Sequence, residues 1–312
     1  MKILVTGGSG YIGSITSDEL VKAGFEPINY DLKNNQNIQD IKLLIRVLKQ
    51  NKVTAVMHFA AYIEMGESML KPEKYINNNF IGSQHLFHCM VNAGVKYIVF
   101  SSTAGVYGNP KKIPIKEDDQ KQLANPYGLS KLMTEQLLNF YDRVYGLKSI
   151  SLRYFNACGA TKKKGENHQP ESHLIPNVLK AILENREFTL FGNDYPTPDG
   201  TCIRDYIHVL DLAKAHILAL RALIKGHKSD VFNVGSGKGY SNLEIIKISE
   251  TITGKKLKLK ICPRRPGDAN QLIADVTKIK KDLGWESKFS DLETIIKSAW
   301  QWHKSQASLR GC

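Results

Sequence analysis

Apolar positions along the chain fall into alternating strand-like and helix-like stretches. Residues 2–6 are a short apolar run ahead of a glycine turn, which predicts a buried strand. From 11 to 23, Ile12, Ile15, Leu20 and Val21 recur at helical spacing, and Gly24 ends the helix they predict. Further strands are predicted at 26–31, 53–60, 96–102 and 148–154. Helices are predicted at 40–50, with Ile41, Leu44, Ile45 and Leu48 on one face, and at 72–92 and 126–145. Strands alternating with helices give parallel βαβ units, so the fold class is α/β with a doubly wound parallel sheet.

The pattern changes after residue 157. Residues 158–172 are polar, lysine-rich and without period, and read as a loop. A helix is predicted at 174–185, a turn-rich stretch at 188–201, a helix at 209–224 and a strand at 231–234. From 241 to about 302 the pattern is shorter α+β material, and a frayed tail is expected from about 305.

The charge changes this picture only modestly. Lys and Arg total 43 against 30 Asp and Glu, a net +13. A basic chain favours anionic partners. Yet the positive residues are scattered, and only Lys162-Lys163-Lys164 and Arg264-Arg265 cluster. This favours a phosphate-bearing small substrate over nucleic acid. Five cysteines, an odd number with no CxxC pair, argue against a disulfide framework and a zinc site. No HExxH occurs among the nine histidines, so no metal is expected. No apolar run reaches the ~18 residues of a membrane helix. The start is too short for a signal peptide before its glycine turn, so the expectation is a cytoplasmic protein without membrane contact.

Three motifs carry chemistry. Between the first strand and helix, Gly7, Gly10 and Gly13 are spaced three apart. Glycines there permit a tight turn and close approach of a pyrophosphate, which the helix N-terminus attracts. Asp31 ends the second strand, where a carboxylate can take both ribose hydroxyls and repel a 2′-phosphate. NAD is therefore favoured over NADP, an argument that Lys33 weakens a little. At the start of a long helix, Tyr127 and Lys131 share one face at i, i+4. A nearby cation and an oxidised nicotinamide lower a phenol's pKa toward that of a usable base. Ser101, Ser102 and Thr103 lie at the carboxyl edge of the sheet, where ligands bind.

Taken together, these motifs resemble an extended short-chain dehydrogenase/reductase. The segments His58-Phe59-Ala60-Ala61, Gly66-Glu67-Ser68, Asn77-Asn78-Asn79, Arg153-Tyr154-Phe155-Asn156, the run from Asp199 to Val209, Arg264-Arg265-Pro266-Gly267-Asp268 and Leu283-Gly284-Trp285 are similar to the UDP-glucose 4-epimerases of that family. The likeness runs to about His303.

The resemblance implies a Rossmann sheet with a smaller C-terminal α+β substrate domain. Residues 1–156 would form the NAD-binding domain, with segments near 205–235 returning to it. Residues 157–204 and 236–304 would form the UDP-sugar domain, with 305–312 a tail. It further implies Tyr127 as acid/base, Lys131 as its activator and Thr103 on the sugar 4-hydroxyl. Gly7, Gly10, Tyr11, Ile12, Gly13, Asp31, Asn37, Ile38, Phe59, Ala60, Ala61, Asn78, Ser101, Tyr127, Lys131 and Tyr154 would contact NAD. Phe155, Asn156, His173, Leu174, Arg204, Arg265 and Asp268 would hold the UDP-sugar, with Phe191 against uracil and Leu272 bordering the sugar C2 substituent. The implied reaction inverts C4 through transient oxidation to a 4-keto sugar, in a homodimer built on the helices at 72–92 and 126–145.

The chain departs from the family pattern in three places. Ile63 stands where some members have lysine, and Asn37 where Asp often faces adenine. Only six residues separate Asp31 from Ile38, too few for a parallel crossover, which needs about ten to twelve. The parallel sheet is therefore expected to hold six or fewer strands, with a trimmed adenine edge. Other UDP-sugar 4-epimerases (pentose, uronate or N-acetylhexosamine) and a non-catalytic NAD-sensing relative stay open as alternatives. A dehydratase is disfavoured, because Ala104-Gly105 stand where that chemistry needs an acidic pair.

Overall fold

The computed structural model describes residues 1–265 and 268–310. Five βαβ-type steps build its main sheet. The strands are β1 (Lys2–Thr6), β2 (Glu26–Tyr30), β3 (Ala55–His58), β4 (Tyr97–Thr103), β5 (Lys148–Tyr154) and, later, β9 (Asp230–Val234). They lie in the order β2-β1-β3-β4-β5-β9, every neighbour parallel. Both faces are covered, which explains the continuous apolar runs. Ile3, Val5, Ala55, Met57 and Val99 point to one face, where they pack with Leu20 and Leu212. Leu4, Val56, Ile98 and Phe100 point to the other, against Leu44, Leu86 and Leu138.

The helices in chain order are α1 (Tyr11–Lys22), α2 (Ile41–Gln50), α3 (Met65–Leu70), α4 (Pro72–Tyr75), α5 (Gly82–Ala93), α6 (Pro126–Tyr145), α7 (Leu174–Leu183), α8 (Val209–Ile224), α9 (Asn242–Thr253), α10 (Thr277–Leu283) and α11 (Leu292–Arg310). The chain leaves β1 for β2 on one side and returns to β3 on the other. The strand order therefore reverses at the β1/β3 crevice, where ligands bind in such sheets. As expected from the short 32–37 segment, only a 3₁₀ turn (Leu32–Asn34) follows β2, and no strand intervenes before β3.

Beyond β5 the chain builds a second layer. β8 (Ile203–His208) pairs antiparallel with β10 (Gly239–Ser241) and parallel with β12 (Gln271–Leu272) and β6 (Asn156–Cys158). β7 (Glu187–Phe191) and β11 (Lys258–Cys262) form a separate parallel pair. The helices α7, α9 and α11 share a core around Ile175, Leu179, Ile245, Ile295 and Ile296.

Several elements correct the sequence expectations. The stretch read as turn-rich from 188 opens with strand β7, and the polar segment from 158 starts at the end of strand β6. The helix expected over 72–92 is interrupted by a π-helical stretch, Ile76–Ile81, which carries Asn78 and Asn79. α3 was not foreseen. The tail expected from about 305 is helical to Arg310, because α11 is anchored by Ile295, Ile296, Ala299 and His303 and propagates past them. Residues 311–312 of that tail, including Cys312, and the Pro266-Gly267 centre of the Arg-Arg-Pro-Gly-Asp segment lie outside the described residues.

Candidate active site

The glycine turn sits at the β1/β3 crevice. Gly7 has φ +70°, and a Cβ there would lie 2.7 Å from the Ala60 nitrogen, so the close approach of the two strand ends requires glycine. A Cβ on Gly13 would collide with the Gly7 carbonyl oxygen, so this residue lets α1 start against the turn. Tyr11 and Ile12 open α1, and the Tyr11 hydroxyl donates to the Gly159 carbonyl at 2.6 Å. Asp31 follows β2. Its Oδ2 accepts from the Ser9 N–H and its Oδ1 from the Lys33 N–H, each at 2.9 Å, which aims the carboxylate at the glycine turn. Asn37 accepts from the Tyr30 hydroxyl through its carbonyl at 2.8 Å. Ile38 is 4% exposed, and its side chain is spent on the core.

At the carboxyl edge of β4 and β5, register places Thr103 beside Tyr154. The α6 helix begins at the same edge. The Asn125 side chain caps it by accepting from the Gly128 N–H, and Pro126 fills its first position. The first turns of α6 therefore bury Tyr127 and Lys131. Lys131 donates from Nζ to the Ser101 carbonyl at 2.8 Å. Burial pushes Lys131 down to about 7, with Glu135 pulling it up. Burial pushes the Tyr127 phenol up to about 12, the Thr103 hydroxyl opposing and Glu64 adding to the rise. Phe59, Ala60 and Ala61 follow β3, and half-buried Asn78 donates to Asn79 at 3.0 Å.

The second layer gathers another group. Arg204 on β8 donates to the Ala269 carbonyl at 2.8 Å and lies 3.8 Å from the Asp268 carboxylate. Leu272 is the register partner of Arg204. The Arg265 guanidinium sits over the Phe191 ring at 4.1 Å, so one face of that ring is already covered. Asn156 donates to the Asp205 carbonyl at 3.0 Å. Phe155 is 7% exposed and packs in the core, and its N–H donates to the Val234 carbonyl at 3.0 Å. His173 stands at the N-cap position of α7 without a side-chain capping bond, ahead of half-buried Leu174. Burial pulls His173 down, but Glu171, 2.8 Å away, and Glu166 outweigh it and hold the imidazole above its usual value.

Sequence reasoning missed several buried groups. Glu135, one turn beyond Lys131, forms an ion pair with Arg153 at 2.6 Å and accepts from Ser102 at 2.5 Å. Arg153 also donates to Tyr107 at 2.7 Å, and Tyr107 to Asn233 at 2.7 Å. Asp205 is fully buried and accepts from Ser236 and from the Gly237 and Ala274 amides. His216 bonds Tyr154. Glu166, His168 and His173 gather with their ligating atoms within 4.8 Å of one another, a cluster that no sequence spacing announced. Each histidine already bonds a carboxylate, His168 to Glu166 at 2.5 Å and His173 to Glu171 at 2.8 Å.

Comparison with known proteins agrees with this architecture. The chain is 47% identical to the UDP-glucose 4-epimerase of Lactobacillus helveticus, over 98% of each chain. The crystal structure of UDP-glucose 4-epimerase from Brucella ovis in complex with NAD superposes with a TM-score of 0.92 at 39% identity, covering 96% of this chain and 97% of that one. The Stenotrophomonas maltophila UDP-glucose-4-epimerase, with bound NAD and formylated UDP-arabinopyranose, gives a TM-score of 0.95 at 36% identity over 99% of each chain. Residues 3–235, which run from β1 through β9 and hold the glycine turn, Thr103, Tyr127 and Lys131, match one family model, and on that span the chain belongs to the NAD dependent epimerase/dehydratase family.

Proposed function

We propose that the chain is a UDP-glucose 4-epimerase that interconverts UDP-glucose and UDP-galactose with NAD held throughout the cycle. The observation that carries this reading is the convergence of Thr103, Tyr127 and Lys131 at one sheet edge. The cradle fits a dinucleotide. Gly7 leaves room where a Cβ would strike Ala60, and α1 starts at Gly10 with no side-chain cap, which leaves its first amides for an anion. Gly7, Gly10, Tyr11, Ile12 and Gly13 would receive the pyrophosphate, Asp31 the ribose, and Asn37 and Ile38 the adenine edge. Phe59, Ala60, Ala61, Asn78, Ser101 and Tyr154 would line the nicotinamide half.

When bound, NAD supplies the acceptor and then the donor of the hydride at C4 of the sugar. The protein's part is to hold and move one proton. Tyr127 takes it from the 4-hydroxyl and returns it, while Thr103 holds the same oxygen. A phenol at about 12 is protonated at neutral pH. Positive charge from protonated Lys131 is what favours its ionised form. Asn156, Arg204, Arg265 and Asp268 would hold the UDP portion, since guanidinium forks match a diphosphate. The Phe191–Arg265 stack would flank the uracil, and Phe155, His173, Leu174 and Leu272 would border the sugar and ribose.

The same reading assigns the parallel sheet and its helices to cofactor binding, and the β8 and β7/β11 layers to the substrate. It takes the active form as a homodimer, supported by the exposed apolar Phe140 and Val144 on α6. A cytoplasmic setting is supported by the buried free thiols Cys89, Cys158 and Cys202. Among the described residues no helix is long and apolar enough to cross a membrane.

The test is incubation of the purified protein with UDP-galactose, UDP-glucose and UDP-pentose, UDP-uronate and UDP-N-acetylhexosamine panels, with products separated. Interconversion of the two hexoses is expected to be fastest. NAD binding without turnover of any sugar would leave the non-catalytic sensing role instead.

A further inference from the structure

Tyr154 ends β5, and its hydroxyl is bonded to Nε2 of His216. His216 lies midway along α8 and is completely buried. Its other ring nitrogen, Nδ1, is 2.9 Å from the Leu212 carbonyl oxygen. A carbonyl oxygen only accepts, so Nδ1 carries the ring hydrogen and Nε2 is bare. Nε2 is therefore the acceptor and Tyr154 the donor. Burial pushes His216 down to about 4, so the ring is neutral and keeps this tautomer through the neutral range. The imidazole is also wedged between rings, with Phe59 at 4.7 Å and Tyr154 at 5.3 Å between centroids.

This bond decides what Tyr154 presents to the cleft. Its single proton is committed to His216, so the phenol oxygen turns only lone pairs toward other neighbours. Tyr154 is the register partner of Thr103, two residues beyond Ser101 on β4. The Ser101 carbonyl in turn receives the Lys131 ammonium. On the other side of the imidazole, Phe59 leads into Ala60, against which Gly7 is packed. One neutral histidine thus supports both walls of the crevice.

We infer that His216 is a positioning residue: by accepting the Tyr154 hydroxyl hydrogen it fixes Tyr154 as a pure acceptor toward the cleft and holds the end of β5 in register with the β4 edge that carries Ser101 and Thr103. The kinetic consequence rests on the epimerase reading. The hydrogen-bond assignment does not.

Two measurements test it. In ¹⁵N-histidine NMR of the full chain, His216 should show the Nδ1–H neutral tautomer from about pH 5 to 9. Its Nε2 signal should move in Tyr154→Phe. An Nε2–H tautomer, or titration near neutrality, overturns the assignment whatever the chain's substrate, and this readout needs no His216 variant to fold. In turnover of UDP-galactose, His216→Gln keeps an acceptor in the place of Nε2 and should hold kcat within about three-fold. His216→Leu should lose about ten-fold or more in kcat with KM unchanged, and should have no further effect in a Tyr154→Phe background. Equal damage from Gln and Leu, or the same Leu effect with and without the Tyr154 hydroxyl, means core packing only and overturns the inference. A wild-type chain that turns over no UDP-sugar sinks the epimerase reading, and the tautomer measurement then decides the His216–Tyr154 assignment alone.

Discussion

Lys131 spans from α6 to the Ser101 carbonyl of β4, 2.8 Å away, and this bond fixes its amine, only 2% exposed, one helical turn beyond Tyr127. The same burial that pushes Lys131 down to about 7 pushes Tyr127 up to about 12. Each group alone resists its charged form. A phenolate beside an ammonium offsets part of both penalties, so the two ionise most readily as a pair.

Lys131→Met should therefore move the acid limb of the kcat–pH profile to higher pH, since Tyr127 loses the cation that favours its phenolate. An unmoved limb would count against the pairing. Stability gives an independent check. The folded value near 7 lies below the unfolded one of about 10.4, so the stability Lys131 contributes is fully present above about pH 10 and is lost as pH falls through 7. Urea melts should find Lys131→Met gaining stability relative to wild type as the pH is lowered from 10 to 7.

Tyr127→Phe removes the proton carrier but not the ring that fills the site. The variant should keep its fold and its affinity for NAD while epimerisation drops by about 10²–10⁴-fold, the usual share of general acid/base work. Near wild-type turnover would show that another group moves the proton.

The parallel sheet and the Tyr127–Lys131 pair were legible because their signals are local. Strands buried on both faces read as apolar runs, as Ile3-Leu4-Val5 does. α6 is bounded by its Asn125 cap and by Gly146 at φ +69°. The second layer was not legible. β8 carries Arg204 and Asp205, and Asp205 can be buried only because Ser236, Gly237 and Ala274 supply donors from distant loops. β11 reads Lys-Leu-Lys-Ile-Cys, an exposed edge that pattern alone does not separate from a loop. α3 is six residues long and is tied down by Glu67, which accepts from Lys74 and Tyr75. His216 looked like any histidine in an apolar helix, because its partner lies 62 positions away.

The Glu135–Arg153 pair behind the site is nearly dry, at 4% and 5% exposure. Glu135→Gln would leave the Arg153 charge buried without its counter-ion. Breaking one side of such a pair costs about 3–5 kcal/mol, so the midpoint of urea unfolding should fall well below wild type. A loss under about 1 kcal/mol would mean that Tyr107 and the Glu117 carbonyl, Arg153's other partners, suffice.

Asp31 is held toward the glycine turn by the Ser9 amide. A carboxylate fixed there would repel a 2′-phosphate, so NAD should bind far more tightly than NADP, and Asp31→Ala should narrow the gap. Calorimetric titration of the cofactor-free protein with each dinucleotide measures both. Equal affinities in the unmodified chain would refute the role.

Leu272 is where substrate width is open to test. It sits on β12 in register with Arg204, half-buried, with one side packed on the core that includes Tyr154 and Phe155. In the resembling family, bulk at this position helps decide whether an N-acetyl group at C2 fits: tyrosine restricts the pocket to plain hexoses, and a small residue admits N-acetylhexosamines. Leucine is intermediate in volume and can rotate, so exclusion should be partial. UDP-galactose should be converted well and UDP-N-acetylgalactosamine slowly. Overfilling a pocket costs about 1–3 kcal/mol, which corresponds to a loss of about 5- to 150-fold in rate. Leu272→Tyr should impose that loss on the N-acetyl sugar and spare the plain hexose. A parallel fall in both activities would mean that the substitution disturbs the Arg204 strand, and Leu272 would then be a packing residue rather than a gate on the sugar.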